Sequence, residues 1–345
     1  MAATETSIDY FGEADGFASK DGFPFRSLCN PASVQNEFVI ALKGRYILLH
    51  STLLFDIDRQ VLVTPTQIHD WGFGNMGRML LENEVADRIQ YKLANAKGPS
   101  RNLPLLLAPY TDNYFHFTFE CMAGLRLIDE TYRDIGVRHD LLKFAFQSEL
   151  MERCLGGRTA VLLDGSELHI DPILFFNYFS MPGVNFIRER IGKFAAPGNE
   201  IVLVERGTGP TTRLDPLGRA HSGSGTIVET PAWLALMEKL GVRRVHFGSG
   251  ALNVSKQIAL LDGARTIIAS HGAAMTNITY LNPPMNIIEL ANDIWASRDQ
   301  FKTISALLGF NYRKLVSPDV DERGGMIVDT EALAAIVEEL HGAPV

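Results

Sequence analysis

Along the chain, apolar positions come first in short runs and later in a regular alternation of strand-like and helix-like segments. Residues 38–66 carry β-branched and aromatic runs cut by Lys43-Gly44 and Asp58-Arg59, which predicts a β-meander. After Asp70 a polar helical stretch reaches about Lys97, and a Gly-Pro-Ser break leads into an apolar strand at 103–108. Phe115, Phe119, Met122, Leu125 and Ile128 then recur at three- and four-residue spacings, predicting a helix within 110–133, with Thr111, Asp112 and Asn113 as N-cap candidates. Further strands are expected at 142–146, 160–163 and 170–178. The polar segment 186–200, ending in Ala-Ala-Pro-Gly-Asn, reads as a linker and sets an expected division into an N-terminal domain, 1–190, and a C-terminal domain, 191–345.

Beyond that linker the rhythm is steadier. Strands are expected at 201–204, 244–247, 266–269 and 286–290. Helices are expected at 231–240, near 254–262, from Ala273 onward and at 330–340. Alternation of this kind predicts an α/β fold built on a parallel sheet wound on both faces.

Composition narrows the picture. Of the 345 residues, 46% are hydrophobic and 21% charged, the balance of an ordinary folded chain with room for two domains. Asp and Glu outnumber Lys and Arg by 40 to 32, a formal net charge of -8. That argues against nucleic acid as a partner, since binding a phosphate backbone draws on a basic surplus. Cys29, Cys121 and Cys154 show no zinc or redox spacing and read as buried or free thiols in a reducing compartment. The acidic start gives no sign of a secretory leader, and no uncharged apolar run nears the roughly 20 residues needed to span a bilayer. The expected location is cytoplasmic, with peripheral work at the inner face of a membrane left open.

Candidate chemistry concentrates in three places. In Thr266-Ile-Ile-Ala-Ser-His-Gly-Ala-Ala an apolar strand runs into small residues where a helix begins, so backbone N–H groups of Ser270, His271, Gly272, Ala273 and Ala274 could face an anion such as a diphosphate. A tight turn chosen for packing alone explains the same residues. Glu289, on the next strand, is either an acceptor for ribose hydroxyls or a surface carboxylate. Arg206 ends the strand Ile-Val-Leu-Val-Glu and is suited to bidentate phosphate contact, while Arg213 and Arg219 lie in a Gly/Pro/Ser-rich loop where arginines are commonly just solvated. In Asn-Tyr-Phe-His-Phe-Thr-Phe-Glu, His116 and Glu120 stand four apart on one helix face. The carboxylate could there orient an imidazole for general-base work, and the plain alternative is a core histidine among aromatics. Asn113 is either a cap or a binding residue.

Three other patterns are weaker. Gly72-Phe-Gly-Asn-Met-Gly77 fits GxGxxG, yet no strand leads directly into it. Asp56-Ile57-Asp58 resembles the Asp-x-Asp that holds a metal and a nucleotide diphosphate in some sugar transferases, but it sits where a hairpin would turn. Ser270 has the position of an elbow nucleophile, although Ile268 replaces the first glycine of GxSxG.

Taken in order, the block around His116, the strand ending at Arg206, the Lys256-Gln-Ile-Ala-Leu260 helix and the 266–290 block with Asn277 and Glu289 resemble glycosyltransferase family 61, the capsular-polysaccharide-biosynthesis-like group. The resemblance covers roughly residues 103–290. It implies a GT-B architecture, two Rossmann-like domains facing across a cleft, with no essential metal and no cofactor beyond a nucleotide-sugar substrate. It also implies inverting transfer to a glycan or lipid-linked acceptor. His116 and Glu120 would be catalytic, Asn113 would lie on the acceptor side, and Arg206, Arg213, residues 270–274, Asn277 and Glu289 would hold the donor. The chain departs from the family around the donor arginines, where Glu205-Arg206 and His221-Ser-Gly-Ser-Gly225 stand in place of a second Arg and an Asn-Glu pair.

Overall fold

The computed structural model describes residues 13–18, 24–27, 37–50, 53–64, 85–106, 113–138 and 142–342, apart from 165, 178, 206–212, 215–219, 222–225, 249, 294 and 323. The Gly72–Gly77 pattern and Arg206 lie outside the described residues. The chain forms two compact units, Met1–Lys143 with Leu150–Arg190, and Phe144–Glu149 with Ile191–Val345.

The first unit holds two sheets. Strands β1 (Glu13–Ala18), β2 (Pro24–Ser27), β4 (Arg45–His50), β5 (Leu53–Asp56), β6 (Val61–Thr64), β7 (Lys97–Arg101) and β11 (Glu167–Ile170) make a seven-stranded sheet in the order β1-β2-β6-β5-β4-β11-β7. The meander is confined to β4–β5–β6, because β3 (Glu37–Ala41) leaves it and pairs antiparallel with β12 (Ile173–Asn177) in the other sheet. Asp56 and Asp58 build the β5–β6 turn. Asp56 is fully buried, accepts from the N–H groups of Asp58 and Arg59 at 3.0 Å, and pairs with the Arg59 guanidinium, while Asp58 pairs with Arg45. Among the described residues no group of three or more His, Cys, Asp or Glu is placed to hold a metal ion.

The second sheet of this unit runs β10-β9-β8-β12-β3, with β8 (Pro104–Leu106), β9 (Asp134–Arg138), β10 (Thr159–Leu163) and β12 mutually parallel. Numbered by appearance, those four lie in the order 3-2-1-4, the half-Rossmann arrangement whose ligand crevice opens at the carboxyl ends of the first and fourth strands. Residues 142–146, expected as a strand, instead lead into the helix Ala145–Leu155. Its first residues count with the second unit, where Ala145 N–H donates to the Gly250 carbonyl at 3.1 Å.

In the second unit the sheet is wholly parallel, with β16 (Arg243–His246), β13 (Glu200–Glu205), β17 (Ala264–Ser270), β18 (Asn286–Ala291) and β19 (Asn311–Val316) side by side in that order. By appearance the order is 2-1-3-4-5, a doubly wound sheet with its switch point between β13 and β17. The central strands read as unbroken apolar runs because both faces are covered: every residue of β18 is buried. The helix Pro231–Lys239 begins where Thr230 accepts from Trp233 N–H, with proline in the first turn. It lays Trp233, Leu236 and Met237 on Leu203, Ile268 and Ile288, joined there by Leu333 and Val337 of the helix Thr330–His341. Gly198 crosses Gly263 so closely that a Cβ would stand 2.3 Å from the Gly263 carbonyl oxygen, which leaves glycine alone acceptable at this entry to β13.

Candidate functional site

The carboxyl edge of each parallel sheet carries one cluster. In the first unit the chain leaves β8, passes through 107–112, which lie outside the described residues, and enters a helix in three abutting pieces. These are a single α turn at Tyr114–His116, a π stretch at Phe117–Cys121 and a 3₁₀ stretch at Met122–Leu127. Asn113 caps it, its Oδ1 accepting from Phe115 N–H at 2.9 Å and His116 N–H at 3.4 Å. That structural duty accounts for the residue by itself. Phe115 and Phe119 pack against each other and on Phe179, with ring centroids 5.0 to 5.6 Å apart. These rings anchor the helix at the crevice end of β8 and β12.

His116 stays partly exposed on this helix. Its Nδ1 lies 2.8 Å from Glu120 Oε1, and the side chains are 33% and 4% exposed. A buried carboxylate behind a partly exposed imidazole is the arrangement that orients one ring nitrogen and leaves the other for a substrate. The change of winding begins at Phe117, inside the interval between the two residues; π bulges of this kind are frequent at functional sites. Cys121 is buried directly beyond, and burial beside Glu120 pushes its thiol well above the ordinary value. Burial likewise pushes Cys154 up to about 12. Both therefore remain thiols at neutral pH and offer no nucleophile.

In the second unit β17 ends at Ser270, and Gly272 adopts φ +154° and ψ 179°, a region essentially reserved for glycine. The bend turns the chain into the 3₁₀ helix Ala273–Tyr280. Of residues 271–280 all but Gly272, Ala273 and Ala274 are buried. Met275 N–H already bonds the Gly272 carbonyl at 3.0 Å, and the N–H groups of Ala273 and Ala274, ahead of the first intrahelical bond, have no acceptor within the helix. Asn277 is buried and serves the interior, its Nδ2 donating to Gln257 Oε1 at 2.8 Å and to the Ala274 carbonyl at 3.0 Å.

His271 and Glu289 form the second close pair. Strand register brings them together, since Glu289 stands opposite Ala269 and His271 lies two residues further along. Nδ1 of His271 is 2.6 Å from Glu289 Oε1, and Tyr312 O–H donates to Oε2 at 2.5 Å. Lys314 Nζ approaches Oε1 at 4.0 Å and Asp299 at 3.6 Å. The His271 ring stacks on Trp295 at 4.7 Å, meets Phe301 edge-on, and has the Gln300 amide 3.5 Å from Nε2. Burial and the bond to Glu289 hold the Tyr312 hydroxyl well above its ordinary pKa, so it stays a donor. Glu289 is fully buried with both oxygens engaged. It anchors His271, and its full burial corrects the surface-carboxylate alternative. Tyr312, Lys314 and Trp295 were not legible as members of this cluster; the signal that could have found Tyr312 and Lys314 is the two-residue alternation of β19, which was itself not expected.

The remaining donor-side arginines are less defined. Arg206 lies outside the described residues. Arg213 has a place in the short ladder of β14 (Arg213–Leu214) with β15 (Ala220–His221), where its backbone pairs with His221. Arg219 lies outside the described residues. Among the described residues no helix is long and apolar enough to cross a membrane.

A doubly wound parallel sheet with a partly exposed glycine turn at its carboxyl edge defines an α/β protein of the Rossmann-like kind. The family model described as Glycosyltransferase 61 matches residues 114–288, half of the chain, running from the His116 helix into β18. The chain belongs to glycosyltransferase family 61, a membership that supports a transferase acting on a sugar donor and an acceptor. Among curated proteins none matches the chain.

Proposed function

We propose that the protein transfers a sugar from a nucleotide-sugar to a hydroxyl of a glycan or lipid-linked acceptor, with inversion, without a metal and on a GT-B plan, in the making of surface polysaccharide on the cytoplasmic side of a membrane. The observation that carries the donor half is the Gly272–Ala274 turn, partly exposed and with reserved glycine geometry at the carboxyl edge of a 2-1-3-4-5 sheet; the N–H of His271, expected to face an anion, instead donates to the Leu290 carbonyl at 2.8 Å. Backbone N–H groups and the positive helix end there would take the charge of the departing diphosphate, and Arg206, next in sequence after β13, would add a guanidinium. In the first unit His116 would accept the proton of the attacking hydroxyl, and Glu120 would hold the ring and stabilise the imidazolium that results. Inversion requires that single displacement, with the hydroxyl oxygen forming the new bond to the anomeric carbon as the bond to the diphosphate oxygen breaks.

Calorimetry on the full chain tests the donor half. Arg206→Ala should weaken UDP or GDP by about 1.5 to 3 kcal/mol, the range for a charged hydrogen bond, and hardly change uridine or guanosine. Equal losses for nucleotide and nucleoside would remove Arg206 from the diphosphate site. If a nucleotide-sugar binds but no acceptor in a screen receives its sugar, the chain is a binding protein of the same fold.

Leaving-group stabilisation by backbone and guanidinium also makes transfer insensitive to chelation. Activity lost in EDTA and restored by Mn²⁺ would contradict this, and would return attention to Asp56 and Asp58 despite their place in the β5–β6 turn.

A further inference from the structure

The face of the second unit's sheet that carries Ile268 and Ile288 treats its buried polar groups differently at its two ends. At the amino end they satisfy one another: Asn311 Nδ2 donates to Asn286 Oδ1 at 3.0 Å, Asn286 Nδ2 to Thr266 Oγ1 at 3.2 Å, and Thr266 Oγ1 lies 2.8 Å from His341 Nε2. At the carboxyl end Ser270 Oγ and Asn292 Oδ1 have no hydrogen-bonding partner among the described residues, although both residues are more than nine-tenths buried. Ser270 stands opposite Leu290, and Asn292 lies two residues beyond Leu290, so the alternation of β18 carried one residue on puts both on the same side. Asn292 also opens the turn that seats Trp295 on His271, its carbonyl accepting from Trp295 N–H at 3.0 Å. Buried polar atoms left unpaired at the carboxyl edge are groups open to a partner, as Thr276 Oγ1, Trp295 Nε1 and Ser305 Oγ also are elsewhere in this unit.

We propose that Asn292, with Ser270 beside it, receives the ribose hydroxyls of the nucleotide donor. This rests on the nucleotide-sugar reading and deepens it. A carbonyl oxygen repels phosphate oxygens and calls for an O–H or N–H donor. The groups nearest the diphosphate that supply one are the 2′- and 3′-hydroxyls of the adjoining ribose. Diphosphate on Gly272–Ala274 leaves the ribose beside the ends of β17 and β18. The carboxylate on that edge, Glu289, is already taken by His271 and Tyr312.

Titration calorimetry with UDP and GDP, each against its 2′-deoxy and 3′-deoxy counterparts, tests the assignment. The wild-type chain should bind at least one deoxy form about 10-fold more weakly, the scale of a buried hydrogen bond left unmade. Asn292→Ala should lower affinity for the ribonucleotide by a similar factor and abolish the ribo/deoxy difference, with an unchanged melting curve, while Asn292→Asp keeps an acceptor and keeps the difference. An Asn292→Ala protein that still discriminates overturns the proposal. So does one that loses affinity for the nucleotide-sugar but not for the diphosphate, which would place Asn292 on the transferred sugar. If the wild-type chain binds neither UDP nor GDP, the nucleotide reading falls and this assignment falls with it. Binding without ribose discrimination overturns the assignment alone.

Discussion

Replacing His116 with alanine should lower sugar transfer by about 10²- to 10⁴-fold, the usual contribution of a positioned general base, and leave donor affinity nearly unchanged. The expectation follows from an imidazole one-third exposed at the crevice end of a 3-2-1-4 parallel sheet, with a buried carboxylate 2.8 Å behind it. Glu120→Gln keeps size and a hydrogen-bonding oxygen but removes the charge. If Glu120 orients and polarises the ring, this change should cost less than loss of His116; if Glu120 is itself the base, it should cost as much or more. Melting curves must accompany the rates, because Phe115 and Phe119 tie the same helix into the core. Folded variants that transfer at the wild-type rate would reduce the His116–Glu120 pair to a packing feature.

Glu289→Ala should destabilise the second unit by about 3 to 5 kcal/mol in urea unfolding, the scale for removing one partner of a buried charged network. The loss strips the acceptor from His271 Nδ1 and the Tyr312 hydroxyl together and takes away a nearby countercharge for Lys314. Glu289→Gln retains one acceptor oxygen and should cost distinctly less. A loss below about 1 kcal/mol for the alanine variant would show that the surrounding groups find other partners.

Much of the second unit could be read from its residues because each central strand is a short apolar run between polar or glycine-bearing segments. The strands expected at 201–204, 266–269 and 286–290 lie within β13, β17 and β18. The helix Gln300–Leu307 and β19 were not foreseen. As the sheet's edge, β19 buries only Leu315 and shows no apolar run. In the first unit β9 was hidden by Gly136, which it needs because a Cβ there would stand 2.8 Å from Leu105. Residues 142–146 misled in the other direction, since a short apolar run suits a strand and a helix start equally.

The site divides along the same line. His116 and Glu120 are four residues apart, so local periodicity is enough to join them. His271, Glu289, Tyr312 and Lys314 meet only through the register of three parallel strands, which no local pattern encodes.

The helix Thr330–His341 supplies Leu333 and Val337 to the core and the His341 contact to Thr266. During synthesis β13, β17 and β18 therefore emerge before the second of the two helices that cover this face, the helix Pro231–Lys239 having already been made. A chain growing from its amino end holds that face half-covered until residues 330–341 have left the ribosome, which makes the interval between β18 and this helix a stretch of synthesis in need of chaperone protection.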